Sequence, residues 1–245
     1  MNDQLIWQQV EFGSYEADLP HWVELAEMAG GPVLELGAGA GRVALHLAGR
    51  GHEVIAVERD ADLAGELRRA AEHSDLAITV LDGDLSSPSD LDLRTSPALM
   101  IGPLHVIQVL DGAARPVLLA RLRELIAPGG IAALTVVDES TMLSAGAAST
   151  QILPDMCEVD GWVYSSEPLW VQVGDQALRI RRLRERVSPD GRMERGIHDE
   201  VLNRLSPESL GEEAATAGFR AAGTRQINSG PNEADSTVVL LEAGG

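Results

Sequence analysis

The chain has 245 residues, 44% of them hydrophobic and 3% aromatic, which is enough to bury the core of one large domain or of a domain with an insertion. It carries 38 acidic and 19 basic residues, and the net charge of −19 disfavours a protein that binds the phosphates of nucleic acids. All the basic residues are arginines, which excludes the lysine of Schiff-base chemistry and the lysine of a P-loop.

Localisation and assembly are predicted from what the sequence lacks. No stretch approaches the roughly 20 apolar residues of a membrane helix, and Met1 to Gln4 lead into no signal segment. Cys157 is the single cysteine, which excludes a disulfide framework or a thiolate metal cluster within one chain. We therefore expect a cytoplasmic monomer or homodimer that acts on a small molecule and binds no membrane, nucleic acid or metal.

Short apolar runs alternate with amphipathic segments over residues 33–137, which predicts a parallel sheet covered by helices. Residues 1–30 are expected to form an N-terminal helical arm, whose helix ends at a Gly-Gly pair. The predicted strands of this part cover 33–36, 53–58, 76–81, 98–102 and 131–137. The predicted helices lie at about 41–48, after Asp60 and after Asp111.

The pattern changes after the fifth predicted strand. Residues 138–155 are rich in Ala, Ser and Thr, which predicts a mobile loop. Three longer strands with short turns follow, which indicates antiparallel pairing, at 158–172, 178–187 and 193–203. The chain closes with a capped helix and two strands, at 206–218, 220–227 and 236–241. We therefore expect one domain over 31–245 with an antiparallel insertion at about 139–204.

The most informative segment is the turn between the first predicted strand and its helix. It reads Val-Leu-Glu-Leu-Gly-Ala-Gly-Ala-Gly-Arg over residues 33–42, with glycines at alternate positions. Such a turn lets the backbone approach a ligand closely at a helix N-terminus. The dinucleotide fingerprint G-x-G-x-x-G requires glycine or alanine where this chain has Arg42. The spacing disfavours NAD, and an NAD-dependent oxidoreductase stays an alternative.

This turn resembles the first motif of class I S-adenosylmethionine-dependent methyltransferases. Their motif reads E/D-x-G-x-G-x-G, and Glu35, Gly37, Gly39 and Gly41 match it. The resemblance implies that the backbone around Ala38 holds the methionine part of S-adenosylmethionine. It also implies that the carboxylate of Glu35 orients the ammonium group of this cofactor. A sulfonium cofactor has no pyrophosphate, so a carboxylate beside the turn is tolerated.

Two further acidic positions fit the same family. Glu58 ends the second predicted strand, where the resemblance implies a carboxylate that accepts both ribose hydroxyls, although it would serve NAD equally. Asp84 lies at the position that takes the adenine amino group, and Asp82 is a competing choice. The complete cofactor-binding set implied by the resemblance is Glu35, Gly37, Ala38, Gly39, Glu58, Arg59, Asp84, Leu85 and Gly102.

The resemblance covers about residues 30–138 and 205–242. It implies an α/β fold with a Rossmann-like seven-stranded methyltransferase sheet, an antiparallel last strand and an antiparallel β insertion over the cleft. The segment Gly102-Pro103-Leu104-His105 differs from the N/D-P-P-Y/F of enzymes that methylate amide or adenine nitrogens, and no Asp and Asn cluster of the catechol type is present. These differences leave O-, N- or C-methylation of a small molecule, with S-adenosylhomocysteine as product. A non-catalytic S-adenosylmethionine-binding regulatory or partner protein is the alternative.

Methyl transfer needs the acceptor held in line with the methyl group, and a general base adds rate where the acceptor carries a proton. These groups are expected at the carboxyl ends of the strands, where ligands bind in such sheets. The candidate catalytic residues are His105 and Glu139, and a packing role is the alternative for His105. The candidate substrate contacts are Tyr15, His105, Gln108, Trp162 and Tyr164.

Three patterns have two interpretations each. If residues 104–110 are helical, His105 and Gln108 share a face and meet either solvent or a polar cleft. Trp162 and Tyr164 share a strand face and form either a small core or a substrate-facing wall. Five arginines lie on the predicted strand at 178–187, at positions 179, 181, 182, 184 and 186. They either protect an exposed strand against aggregation or bind an acidic substrate.

Overall fold

The computed structural model of the chain describes residues 3–137, 153–229 and 234–244. Within these ranges the helices are α1 (Asp3–Phe12), α2 (Leu19–Ala29), α3 (Arg42–Ala48), α4 (Ala61–His73), α5 (Val106–Val109), α6 (Ala114–Leu125) and α7 (Pro207–Thr216). The strands are β1 (Val33–Leu36), β2 (Val54–Glu58), β3 (Ile78–Asp82), β4 (Leu99–Gly102), β5 (Ile131–Val136), β6 (Asp155–Val159), β7 (Trp162–Val173), β8 (Ala177–Val187), β9 (Met193–Asn203), β10 (Phe219–Ile227) and β11 (Ser236–Ala243).

Seven strands form the main sheet, in the order β10-β11-β5-β4-β1-β2-β3. β1 to β5 pair in parallel, whereas β11 is antiparallel to both of its neighbours. The inner strands β1, β2 and β4 are buried along their whole length, because helices cover both faces of the sheet. The predicted seven-stranded Rossmann-like sheet with its antiparallel last strand is confirmed.

Alternate residues of the inner strands enter two hydrophobic clusters, one on each face of the sheet. Leu34 and Ile55 pack in the cluster that includes side chains of α6 and α7. Val33 and Val54 pack in the other, with side chains of α2, α3 and α4. None of the helices in the described ranges is both long and apolar enough to span a membrane.

A second sheet of four antiparallel strands, in the order β6-β7-β8-β9, follows β5 in the chain. The predicted antiparallel insertion is confirmed, but the single strand predicted at 158–172 is wrong. Asp160 and Gly161 both have positive φ angles, 52° and 77°, and turn the chain back between β6 and β7. An Asp-Gly pair between two apolar runs is a hairpin signal, so the turn was readable from the sequence.

The N-terminal arm contains two helices where the sequence analysis recognised one. The additional helix, α1, packs its buried residues Ile6 and Val10 against Tyr164 of the second sheet. Its carboxylate Glu11 bonds to two arginines of β8. The arm is therefore attached to the insertion as well as to the main sheet.

The carboxyl ends of the parallel strands meet at one edge of the main sheet. β1 leads there into the glycine turn, β2 ends at Glu58, and β4 leads into the segment 102–105. Most of the candidate residues thus lie along this edge, which is where ligands bind in doubly wound sheets.

Candidate functional site

The glycine turn is formed by residues with positive φ angles, which residues other than glycine seldom adopt. Gly37, Gly39 and Gly41 have φ angles of 67°, 58° and 95°. A Cβ added at Gly39 would lie 2.0 Å from Nε2 of Gln8, and one added at Gly41 would lie 2.2 Å from Cδ1 of Leu67. The glycines therefore serve the packing of the turn, and the groups that could bind a ligand are the polar side chains around it.

Glu58 is buried beside the turn, and its partners among the described residues are all backbone N–H groups. Its Oε2 accepts from the N–H of Gly39 at 2.8 Å. Its Oε1 accepts from the N–H groups of Arg59 and Asp60, also at 2.8 Å. These three bonds use both lone pairs of Oε1 and one of Oε2, so the side chain fixes the turn and keeps one acceptor site, on Oε2, for a ligand.

Glu35 is a carboxyl group buried without enough donors. Only 3% of the residue is exposed, and Oε2 has no hydrogen-bond partner in the described part of the chain. Burial raises the pKa of Glu35 to about 8; the charge of Arg42 opposes this shift and that of Asp18 adds to it. At neutral pH the carboxyl group is therefore protonated until a cation lies beside it.

Arg42 ties the N-terminal arm to the glycine turn. Its guanidinium group bonds both carboxylate oxygens of Asp18, at 2.7 and 2.6 Å, and the carbonyl oxygen of Tyr15 at 2.8 Å. Asp18 is buried and also accepts from Nε1 of Trp22 at 2.9 Å. Arg42, which breaks the dinucleotide fingerprint, thus has a structural role. Its bond to the carbonyl oxygen of Tyr15 also holds that residue next to the turn.

Of the two acids after β3, Asp84 lines an open pocket and Asp82 does not. The pocket has a volume of about 390 Å³ and is lined by Arg59, Asp60, Gly83 and Asp84. Hydrogen bonds from the N–H and hydroxyl of Ser86 lower the pKa of Asp84, so its carboxylate stays charged. Asp82 forms an ion pair with Arg68 at 2.8 Å instead. Leu85, beside Asp84, is buried in the core.

His105 lies in a strained turn at the end of β4. Leu104 and His105 have φ angles of 49° and 60°, in the left-handed region that residues other than glycine seldom adopt. Such backbone strain is concentrated at functional sites. The His105 N–H donates to Oγ1 of Thr135, and the ring Nε2 lies 2.7 Å from Oγ of Ser236. Loss of hydration lowers the pKa of the ring to about 4, so it is neutral at physiological pH.

Gln108 is fully buried and does not share a polar face with His105. Its Nε2 donates to the carbonyl oxygens of Val137 and Asn203, and its Oε1 accepts from the N–H of Val137. The amide therefore joins the two points where the chain leaves β5 and returns from β9. α5 begins only after His105, so the condition for a shared face, a helix over 104–110, is not met. Glu139 lies outside the described residues.

The aromatic candidates of the insertion contact the N-terminal arm. The rings of Tyr164 and Trp7 meet edge to face at 5.6 Å, and Trp162 stacks on Tyr164 at 6.5 Å. Tyr164 is buried, so of the two interpretations the small core describes its surroundings. Tyr15 lies elsewhere, under the guanidinium group of Arg42, with its hydroxyl 3.0 Å from Oγ of Ser229.

Four of the five arginines of β8 are paired with carboxylates of the chain itself, at positions 181, 182, 184 and 186. Arg184 bonds both oxygens of Glu11 at 2.8 and 2.7 Å, and Arg181 bonds both oxygens of Asp199. Arg182 bonds Ser166 at 2.8 Å and also pairs with Asp155. These arginines therefore serve the insertion and its contact with α1.

Sequence reasoning missed two polar residues near these elements. Gln8 of α1 accepts a hydrogen bond from the N–H of Ala40, in the glycine turn, at 2.7 Å. Glu200 of β9 has its pKa raised by burial and by Glu11, partly offset by Arg182 and Arg184. The alternation of β9 could have placed Glu200 on the same face as the buried Leu202, whereas no local signal connects Gln8 to the turn.

The residues at this edge fit the cofactor that the resemblance implies. Oε2 of Glu35 is a buried acceptor without a partner in the described ranges, which suits an ammonium group. Glu58 offers one remaining acceptor site, on Oε2, to a hydroxyl group, and Asp84 offers a charged acceptor in an open pocket. Across the same ranges, no group of three or more His, Cys, Asp or Glu side chains could hold a metal ion.

Residues 33–130 match the family model of a methyltransferase domain. A segment of 59 residues is 52% identical to ribosomal RNA small subunit methyltransferase A of Anaeromyxobacter dehalogenans (strain 2CP-C). That segment covers 24% of this chain and 20% of the relative, so the chain matches about a fifth of the length of this curated protein.

Three solved structures share the fold over nearly the whole chain. The sugar N-methyltransferase KedS8 from Streptoalloteichus sp. ATCC 53650 is 16% identical with a TM-score of 0.73, covering 97% of this chain and 91% of its own. The CcbJ methyltransferase from Streptomyces caelestis is 20% identical with a TM-score of 0.72, over 99% and 97%. The amino pentose methyltransferase CalS10 from Micromonospora echinaspora, solved with bound S-adenosylmethionine, is 14% identical with a TM-score of 0.71, over 98% and 97%.

Proposed function

We propose that this chain, which carries a class I S-adenosylmethionine-dependent methyltransferase domain, transfers the methyl group of that cofactor to a small molecule. The observation that carries the proposal is the glycine turn, flanked by Glu35 and Glu58, within the segment that matches a methyltransferase domain. When bound, the cofactor supplies a methyl group activated by a positively charged sulfur. An NAD-dependent oxidoreductase and a non-catalytic binding protein are not favoured.

The cofactor is proposed to lie along the carboxyl edge of β1 to β4. Glu35 would pair with its ammonium group, and the turn Gly37-Ala38-Gly39 would contact its amino-acid part. Glu58 would accept one ribose hydroxyl through Oε2, beside Arg59, because two N–H groups already occupy Oε1. The adenine end would lie in the open pocket with Asp84, which we favour over the ion-paired Asp82.

His105 is the proposed base or acceptor-positioning residue. Its strained backbone at the end of β4 supports a functional role, and its neutral ring can accept a proton or hydrogen bond from an acceptor group. A pKa of about 4 makes the ring a weak base. Holding the acceptor in line is therefore expected to contribute more to the rate than proton removal does.

A small-molecule acceptor fits the chain better than ribosomal RNA does. The net charge of −19 opposes contact with phosphates, and the arginines of β8 discussed above are paired with carboxylates of the chain. The segment similar to an RNA methyltransferase covers only 24% of the chain. The similar structures over the whole chain include a sugar N-methyltransferase and an amino pentose methyltransferase, which makes amino sugars the first acceptors to test.

The test is a methyl-transfer assay that records S-adenosylhomocysteine formation with a panel of small molecules, headed by amino sugars, and with ribosomal RNA as a separate arm. We expect turnover with a small molecule, together with a product heavier by one methyl group. Methylation of the RNA, with none of any small molecule, would contradict the proposal.

A further inference from the structure

α1 brings one side chain to the glycine turn. Oε1 of Gln8 accepts from the N–H of Ala40 at 2.7 Å, and Nε2 occupies the space that a side chain at Gly39 would need. The amide of Gln8 is held through its oxygen. In the described part of the chain, its Nε2 donates to no protein acceptor. Two N–H donors are thus placed at the turn without a protein partner.

The surrounding groups show what those donors can meet. Glu35 has a buried acceptor oxygen without a donor, and Arg42 has a buried Nε without an acceptor among the described residues. Glu35 lies on β1, which leads into the glycine turn, and Arg42 is the first residue of α3, which follows the turn. A free amino-acid group carries an ammonium donor and a carboxylate acceptor, so unmatched groups of both kinds complement it.

We propose that Gln8 is a cofactor contact, whose Nε2 donates a hydrogen bond to the carboxylate at the amino-acid end of S-adenosylmethionine. This inference rests on the proposed function and extends the site to the N-terminal arm. Glu11, one helical turn further along α1, bonds Arg184 of the insertion, so the same helix joins the cofactor site to the second sheet.

A competing role for Gln8 is to occupy the turn until the cofactor displaces it. The two roles predict opposite effects of removing the amide. A contact loses affinity when it is removed, whereas a group that must be displaced raises affinity when it is removed. A purely structural role, through the bond to Ala40, changes the affinity for S-adenosylhomocysteine and for its carboxamide analogue by the same factor.

The experiment measures the dissociation constant of S-adenosylhomocysteine by calorimetry for the wild type, Gln8→Ala, Gln8→Glu and the control Gln9→Ala. A hydrogen bond to a charged group predicts a loss of about tenfold or more for Gln8→Ala. Gln8→Glu keeps an oxygen for Ala40 but presents a second negative charge to the carboxylate, so it should lose at least as much. Gln9 is an exposed neighbour on the same helix, and its variant should stay within about twofold.

A second arm uses the carboxamide analogue of S-adenosylhomocysteine, measured by competition. If Gln8 meets the carboxylate, Gln8→Ala should discriminate between the two compounds less than the wild type does. Unchanged or tighter binding of S-adenosylhomocysteine by folded Gln8→Ala, or undiminished discrimination, would overturn the inference. Failure of the wild type to bind S-adenosylhomocysteine would instead overturn the proposed function.

Discussion

At the scale of single residues, Glu35 and Asp84 of the proposed cofactor site have pKa shifts of opposite direction because their surroundings differ. Burial without enough donors raises the pKa of Glu35 to about 8, from the ordinary value of 4.5. Hydrogen bonds from Ser86 lower the pKa of the exposed Asp84. Because the pKa of Glu35 is higher in the folded chain, its contribution makes the free energy of unfolding fall as the pH rises from 4.5 to about 8.

Cofactor binding should release a proton from Glu35. An ammonium group beside this carboxyl group lowers its pKa, so a group that is protonated at neutral pH in the free protein becomes ionised. Calorimetric titrations with S-adenosylhomocysteine at pH 7 in phosphate and in Tris should differ by the ionisation enthalpy of about one proton. Glu35→Gln should abolish that difference. Equal enthalpies in both buffers for the wild type would mean that Glu35 does not meet the ammonium group.

Glu58→Ala should weaken cofactor binding by about 1.5–3 kcal/mol, since it removes a charged hydrogen-bond acceptor. It should also lower the melting temperature, because the N–H groups of Gly39, Arg59 and Asp60 lose their acceptor. Calorimetry and thermal denaturation measure the two effects. The control is Glu53→Ala, an exposed carboxylate that precedes the same strand, and it should change neither. Unaltered cofactor affinity in Glu58→Ala would show that the ribose is held elsewhere.

His105→Asn should lower turnover by roughly 10²-fold while keeping cofactor affinity within about threefold. Asparagine tolerates the left-handed backbone of this position, so the variant removes the ring without adding strain. Because the pKa of His105 is about 4, the wild-type rate should show no inflection near pH 6.5 from this residue. Steady-state kinetics with the acceptor identified in the panel provide the check. Normal turnover in the variant would make His105 structural.

At the scale of elements, contacts between residues distant in the chain determine which surfaces of the second sheet are covered, and local sequence patterns did not predict these contacts. A bulge between Pro168 and Trp170 ends the alternation of β7, so Trp170 does not continue the face of Trp162 and Tyr164. Periodicity identified three strands of the insertion, but it missed the turn that separates β6 from β7 and did not predict the surface that covers the sheet. α1 supplies part of that cover through Ile6, Val10 and Glu11, which are separated from the second sheet by more than 140 residues.

The ion pairs of Glu11 should hold α1 against the insertion. Burial alone would raise the pKa of Glu11, but bonds from Arg184 and Ser166 and the nearby arginine charges lower it. Glu11→Ala leaves two half-buried arginines without this partner and should cost about 2–4 kcal/mol. Hydrogen exchange of α1 should quicken accordingly.

Asp3→Ala is the matched control, because its pair with Arg186 is more exposed and should be worth less than about 1 kcal/mol. Since the pKa of Glu11 is lowered on folding, its contribution is present above pH 4.5 and is lost as the pH falls through the lowered value. Equal stability losses in the two variants would contradict a special role for Glu11.

At the scale of the whole molecule, the features that the sequence predicted are those set by residues close to one another in the chain. The glycine spacing, the acids that end β2 and follow β3 and the apolar strands are local; they predicted the fold class and support the proposed cofactor. The contacts of Gln8 with Ala40 and of Glu11 with Arg184 join residues 32 and 173 positions apart. No local pattern predicts such pairs, because they exist only once the main sheet, α1 and the insertion have packed together.

The most direct test of the account is a calorimetric titration of the wild-type chain with S-adenosylmethionine, S-adenosylhomocysteine and NAD under one set of conditions. The glycine turn, Glu35 and the fingerprint-breaking Arg42 predict micromolar or tighter binding of both sulfur compounds and no binding of NAD. Micromolar binding of NAD, with no heat from either sulfur compound, would contradict the central claim.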